Sequence, residues 1–170
     1  QLGSNSFKGC TSLKNIALPK GLKRLERHAF DNCSALESVD LTGIKTSEAF
    51  GFGNCNSRKS IDLKKVSVLD DYAFVDAVGL ESIVIPGSVK SVGDNAFSEC
   101  TSLKSVVIER NVRTTTKLLD DVFFRCSALT TITIPKSVVL CKEKRGWLAT
   151  DAKDSIFYGC TSLKEIHGNR

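Results

Sequence analysis

The 170 residues carry 24 Lys and Arg against 19 Asp and Glu, a net charge of +5, with 41% hydrophobic and 25% charged residues. That is the balance of a globular chain long enough for one domain with a real core, and it argues against disorder. The longest apolar runs, such as Val106 to Ile108 and Val138 to Leu140, fall far short of the roughly 20 residues a membrane-spanning helix needs.

In chain order, the first element is a turn that recurs. Gln1 opens on "QLGSNSFKGC" with no basic stretch leading an apolar segment, so no signal peptide is expected, and a start inside a motif suggests a segment of a longer protein or a mature product. Phe7 precedes Cys10 by three positions, and the same pair returns as Phe30/Cys33, Phe52/Cys55, Phe97/Cys100, Phe123/Cys126 and Phe157/Cys160, with Phe74/Ala77 in the same register. Successive phenylalanines lie 23, 22, 22, 23, 26 and 34 residues apart. "AFGFGNC" offers both Phe50 and Phe52 for one slot. After each turn comes a Leu and two alternating aliphatics, which predict a short half-buried strand: Leu13-Ile16-Leu18, Leu36-Val39-Leu41, Leu80-Ile83-Ile85, Leu103-Val106-Ile108 and Leu129-Ile132-Ile134, with Leu163-Ile166 in the last register. The third register has Arg58 in the Leu position, followed by Ile61 and Leu63. Pro19, Pro86 and Pro135 stop their strands, and a second aliphatic pair (Leu22/Leu25, Val89/Val92) then predicts a short extended segment before the next Phe. No such coil can bury its apolar face alone, so stacking creates the core.

"IPGSVKSVGDNAFSECTSLKSVVI" (Ile85 to Ile108) closely resembles the BspA-type, or Treponema pallidum-type, leucine-rich repeat, and the resemblance spans nearly the whole chain. It implies a curved leucine-rich repeat solenoid over residues 1–170, of about seven coils, with short parallel strands on the concave face and turns with little helix on the convex face. Insertions are expected at 109–122 and 136–156, and the crossovers are expected to be right-handed. The resemblance also implies a cell-surface or secreted protein that binds host proteins, extracellular matrix or other cells; a cytoplasmic scaffold and a spacer in a longer repeat array are the alternatives.

Seven cysteines invite a disulfide or zinc reading, but six recur once per coil, no C-x-x-C is present and only His28 and His167 could assist. The expectation is a ladder of buried free thiols, each a small hydrophobe. Cys141 lies outside the register and is expected to be an exposed, reactive thiol. No cofactor or metal is expected.

Two surfaces could recognise a partner. Residues between the buried aliphatics should point into the concave face: Asn15, Ser38, Ser60, Ser82, Ser105, Thr131 and Glu165 in one column, Ala17, Asp40, Asp62, Val84, Val107, Thr133 and His167 in the next. We take Ser38, Asp40, Ser60, Asp62, Ser82, Ser105, Thr131 and Thr133 as candidates for protein binding. A flanking column (Lys14, Glu37, Lys59, Glu81, Lys104, Thr130, Lys164) alternates in sign, which suits charge pairing between stacked coils. The second surface is the insertion "VVLCKEKRGWLATDAKDS", where Lys142, Lys144, Arg145 and the sole Trp, Trp147, form a candidate anchor. Scattered basic residues argue against nucleic acid, and no nucleophile, phosphate-binding or zinc-protease motif is found, so the chain reads as a non-enzyme. Asp70/Asp71 and Asp120/Asp121 read as solubilising turn residues. Partners are expected to be proteins, with end-to-end self-association open to the coil stack.

Overall fold

The computed structural model describes residues 2–63, 65–111, 113, 115–140 and 156–168. They build a parallel β-solenoid with almost no helix, as the repeat requires. Each coil passes through two walls. One wall holds β1 (Asn15–Ile16) paired with β3 (Ser38–Val39), and then a four-stranded sheet of β6 (Ser82–Ile85), β8 (Ser105–Ile108), β10 (Thr131–Thr133) and β12 (Glu165–His167). The other wall is a six-stranded sheet of β2 (Arg24–Leu25), β4 (Thr46–Ser47), β5 (Val68–Leu69), β7 (Ser91–Val92), β9 (Thr116–Leu118) and β11 (Val138–Leu140). Every pairing is parallel, and equivalent residues meet: Ile83 lies opposite Val106, Val106 opposite Ile132, and Ile132 opposite Ile166.

The second wall is more regular than its sequence suggests. Pairs such as Leu22/Leu25 were expected to make merely extended segments; stacked at one register they complete each other's hydrogen bonds and become a sheet. Both enlarged regions still contribute to it, through β9 and β11.

Between the walls runs a column of rings. Phe7, Phe30, Phe52, Phe74, Phe97, Phe123 and Phe157 stack in sequence with centroids 5.2 to 6.0 Å apart. Phe52, not Phe50, therefore fills the third slot. From Phe7 to Phe123, the turn that delivers the ring has left-handed residues two positions before and after it, as at Asn95 and Glu99 (φ 54° and 60°) around Phe97. Asn, Asp and Gly tolerate that conformation and supply many of these positions.

Next to the rings, the thiols do more than fill space. Sγ of Cys33, Cys55, Cys100, Cys126 and Cys160 donates to the carbonyl oxygen of the ladder phenylalanine one coil earlier, at 2.9 to 3.2 Å. All six described cysteines are free. The expectation of a wholly buried ladder fails at its two ends: Cys10 is exposed, because no described coil covers its side of the stack, and Cys160 is half-buried. Cys141 lies outside the described residues.

Two further expectations are corrected. Residues 61–63 form no strand, and no backbone hydrogen bond joins residues 58–63 to residues 36–41 among the described residues. The first wall is therefore interrupted at the third coil. Nor are the turn aspartates merely solubilising: Oδ1 of Asp71 accepts the Asp94 amide at 2.9 Å, and Oδ1 of Asp94 accepts the Asp120 amide at 3.0 Å. Each ties one coil's turn to the next.

Candidate functional site

Along the first wall, alternation turns Ile83, Ile85, Val106, Ile108 and Ile132 into the core and their neighbours outward. Ser38, Asp40, Ser60, Asp62 and Ser82 are exposed there, and Ser105, Thr131 and Thr133 are half-buried. The candidate column thus lies on one outward face. Its hydroxyls partly serve the coil stack: the Ser38 hydroxyl bonds Oδ1 of Asn15. Asp40 is engaged locally, accepting the Thr42 hydroxyl at 2.6 Å and the Thr42 amide at 2.8 Å, and these bonds hold its carboxyl below the usual range.

The flanking charges pair across coils as their alternation implies. Lys14 reaches Glu37 at 4.0 Å, Lys59 reaches Glu81 at 3.5 Å, and Lys104 reaches the same Glu81 at 3.0 Å. The hydrogen bond from Lys104, and the charges of Lys104 and Lys59, keep the Glu81 carboxyl ionised below its ordinary pKa. Such exposed pairs set register more than stability.

In the middle of this face sits an apolar pair. Val84 and Val107 are directly opposed in the ladder and remain 48% and 40% exposed. Beside them is a hollow of about 400 Å³ lined by Ser60, Ile61, Asp62, Leu63, Val84, Pro86 and Glu109. It lies where the wall is broken. The cause is local: Arg58 occupies the slot that Leu13, Leu36, Leu80, Leu103, Leu129 and Leu163 fill elsewhere, and it is only 8% exposed. Among the described residues its Nε and Nη1 have no hydrogen-bond partner, and burial pulls its pKa below the ordinary guanidinium value. The next coil yields room. A Cβ on Gly79 would stand 1.7 Å from the Asn56 carbonyl oxygen and 3.4 Å from that of Arg58, so only glycine fits.

Lys142, Lys144, Arg145 and Trp147 lie outside the described residues, so the insertion anchor is not placed against this face.

With the stacked coils, the aromatic column and the outward strand face in hand, the comparisons have a geometry to rest on. A family model described as the BspA type leucine rich repeat region matches residues 1–77 and 67–144, in six copies. The chain belongs to the BspA-type leucine-rich repeat family. Among solved structures it is similar to the T. pallidum leucine-rich repeat protein TpLRR, with 25% identity and a TM-score of 0.76 over 96% of this chain and 71% of that one. A leucine-rich repeat protein from Bacteroides ovatus shares the fold at 20% identity and a TM-score of 0.56, over 98% of this chain and 63% of its own. So does the pneumococcal vaccine antigen PcpA, at 22% identity and a TM-score of 0.59, over 79% of this chain and 36% of its own. No curated protein matches the sequence.

This BspA-type solenoid carries one surface that the repeat reading passed over. His28, Phe50 and Tyr72 stack on one another outside the main ring column, with centroids 4.7 and 4.8 Å apart. All three occupy the left-handed position where other coils use Asn or Asp. A bulky residue pays about 1–3 kcal/mol in backbone strain there, partly offset by about 0.5–1.5 kcal/mol per stacked pair. Below them, buried Asp31 meets Lys8 at 3.0 Å and Nδ1 of His28 at 2.9 Å. Burial works to raise the Asp31 carboxyl, but the bonds from Lys8 and His28 bring it below its usual value. The signal was Phe50, the first phenylalanine of "AFGFGNC", read as competing with Phe52 for one slot when it belongs to a second column. Among the described residues, no three of His, Cys, Asp and Glu are grouped to hold a metal, and no helix is long and apolar enough to cross a membrane.

Proposed function

We propose that the chain is a non-enzymatic recognition module of a surface-exposed or secreted leucine-rich repeat protein, and that its first strand wall takes a protein partner. The observation that carries this reading is the exposed Val84–Val107 pair beside the hollow at the third coil. Adjacent exposed valines on a sheet bury well only against another surface, and the polar rim of Ser82, Ser105, Asp62 and Glu109 supplies hydrogen-bonding groups around them. Membership of a family of leucine-rich repeat proteins, generally non-enzymatic, supports the absence of catalysis, and the family's bacterial surface proteins support the location.

The test is binding of the intact chain to purified extracellular-matrix proteins and to cells, beside two variants matched to it in thermal stability. Val84→Asp with Val107→Asp should lose binding at least tenfold. Lys144→Ala with Arg145→Ala and Trp147→Ala should keep it. The reverse pattern would move recognition to the insertion, and no binding by any form would favour a second reading, a spacer within a longer array. That reading draws on Ile166 of β12, left 57% exposed, a residue suited to lying under a further coil or a second copy. Light scattering that finds a strict monomer at high concentration would count against self-association.

A further inference from the structure

The hollow at the third coil joins apolar lining to a single sign of charge. Ile61 and Leu63 of the third coil and Val84 and Pro86 of the fourth supply the apolar part, and the two charged residues that line it, Asp62 and Glu109, are both acids and both exposed. The Glu109 carboxylate is held at the rim, where its Oε2 accepts the Gly87 amide at 3.2 Å, next to Pro86. The chain has cations close by and does not spend them here. Arg110 and Arg113 follow Glu109 in sequence and are exposed, yet among the described residues the Gly87 amide is the one partner of the Glu109 carboxylate. Lys59 and Lys104 are both turned to Glu81, at 3.5 and 3.0 Å, at the opposite end of the strands. Elsewhere the stack matches its acids to its own cations, as in Lys8 with Asp31, Arg24 with Glu48 and Arg125 with Glu99. Asp62, which also interacts within the chain, adds a second negative charge to the rim. Long basic side chains have the matching division, an apolar stem that lies on apolar surface and a charged head that stays at its edge.

We propose, on the reading that the first wall docks a protein partner, that the hollow seats a basic side chain, arginine or lysine, from an extended segment of that partner. The stem lies along Val84 and Pro86, the head meets the Glu109 carboxylate, and an aliphatic neighbour in the same segment covers Val107. Charge complementarity of this kind selects among partners more than it adds affinity.

The probes are three blocked peptides, acetyl-Val-Arg-Val-amide and its citrulline and glutamate counterparts, titrated into the whole chain with isotope-labelled valine and leucine methyl groups. Citrulline keeps the length and shape of arginine without its charge. The arginine peptide should shift the methyl resonances of Val84 and bind about fivefold more tightly than the citrulline peptide at low salt, and the glutamate peptide should bind most weakly. The advantage of arginine over citrulline should vanish in about 0.5 M sodium chloride and in Glu109→Gln with Asp62→Asn, uncharged changes that keep an acceptor for the Gly87 amide. Val84→Thr with Val107→Thr removes apolar contact and leaves the charge, so it should weaken the arginine and citrulline peptides by the same factor. Equal binding of those two peptides to wild type, with both weakened by the threonine changes, would overturn the basic occupant and leave the docking surface standing. An arginine advantage that survives Glu109→Gln with Asp62→Asn would place the cation elsewhere and overturn it as well. No methyl shift with any peptide would overturn the seat, and matrix binding by Val84→Asp with Val107→Asp then decides on the wall separately.

Discussion

Replacing Phe97 by alanine tests whether the stack behaves as a chain of nearest-neighbour interfaces. Phe97 is fully buried and packs between two rings, Phe74 at 5.2 Å and Phe123 at 5.7 Å. Truncating such a side chain costs about 3–5 kcal/mol, of which the two ring pairs account for roughly 1–3 kcal/mol. Phe7 offers the comparison, because it is part-exposed and stacks on one described ring, Phe30 at 5.3 Å. Losing one interface instead of two, Phe7→Ala should cost about half as much. Urea unfolding followed by circular dichroism reads the difference. With a slope of about 2 kcal/mol per molar urea, the midpoint should fall by about 2 M for Phe97→Ala and by about 1 M for Phe7→Ala. Equal losses at the two positions would refute the nearest-neighbour account. A lowered slope for Phe97→Ala would show the stack splitting there into separately unfolding halves.

The thiol ladder should protect itself: alkylation of native protein should modify Cys10 within minutes and leave Cys33, Cys55, Cys100 and Cys126 unmodified until unfolding, and mass mapping would check this. Burial pushes Cys33 from its ordinary 9.0 up to about 11, and Cys55 and Cys100 up to about 12. Because the folded chain keeps these protons longer than the unfolded one, their contribution is whole below pH of about 9 and is lost as pH rises through 11 and 12. Melting temperatures measured from pH 8 to 11 should fall less steeply for Cys100→Ala than for wild type. Ala77→Cys adds the missing thiol beneath the Phe52 carbonyl and should stabilise by about 0.5–1 kcal/mol in a denaturant titration. Gly79→Ala should destabilise by at least about 2 kcal/mol, since its Cβ meets the Asn56 carbonyl oxygen at 1.7 Å.

What was legible in the sequence was whatever repeats. The Phe–Cys turn, the Leu slot and the two aliphatics recur at nearly constant spacing, so the ring column, most strands of the first wall and the alternating Lys–Glu pairs followed from period alone. What escaped is non-periodic or cooperative. Two-residue strands such as β4 and β5 carry too little pattern to be recognised singly and exist because they align in a six-stranded sheet. Arg58 was visible as a break in pattern, but its consequences, a missing strand and a hollow, depend on how the second and fourth coils pack around it. Val84 and Val107 were legible as outward positions, whereas the apolar pair they form is a matter of register across coils. The Phe50 column was hidden because one residue in an otherwise polar position resembles noise until its neighbours His28 and Tyr72 stack upon it.

The most direct test of the strand wall as the recognition surface is site-specific photocross-linking. A benzophenone amino acid would replace Val84 in one preparation and Val139 in another; Val139 is 43% exposed on β11 of the opposite wall. After irradiation with matrix proteins or intact cells, discrete adducts from position 84 and none from position 139 are the predicted result. Adducts from position 139 alone, or equally from both, would contradict it.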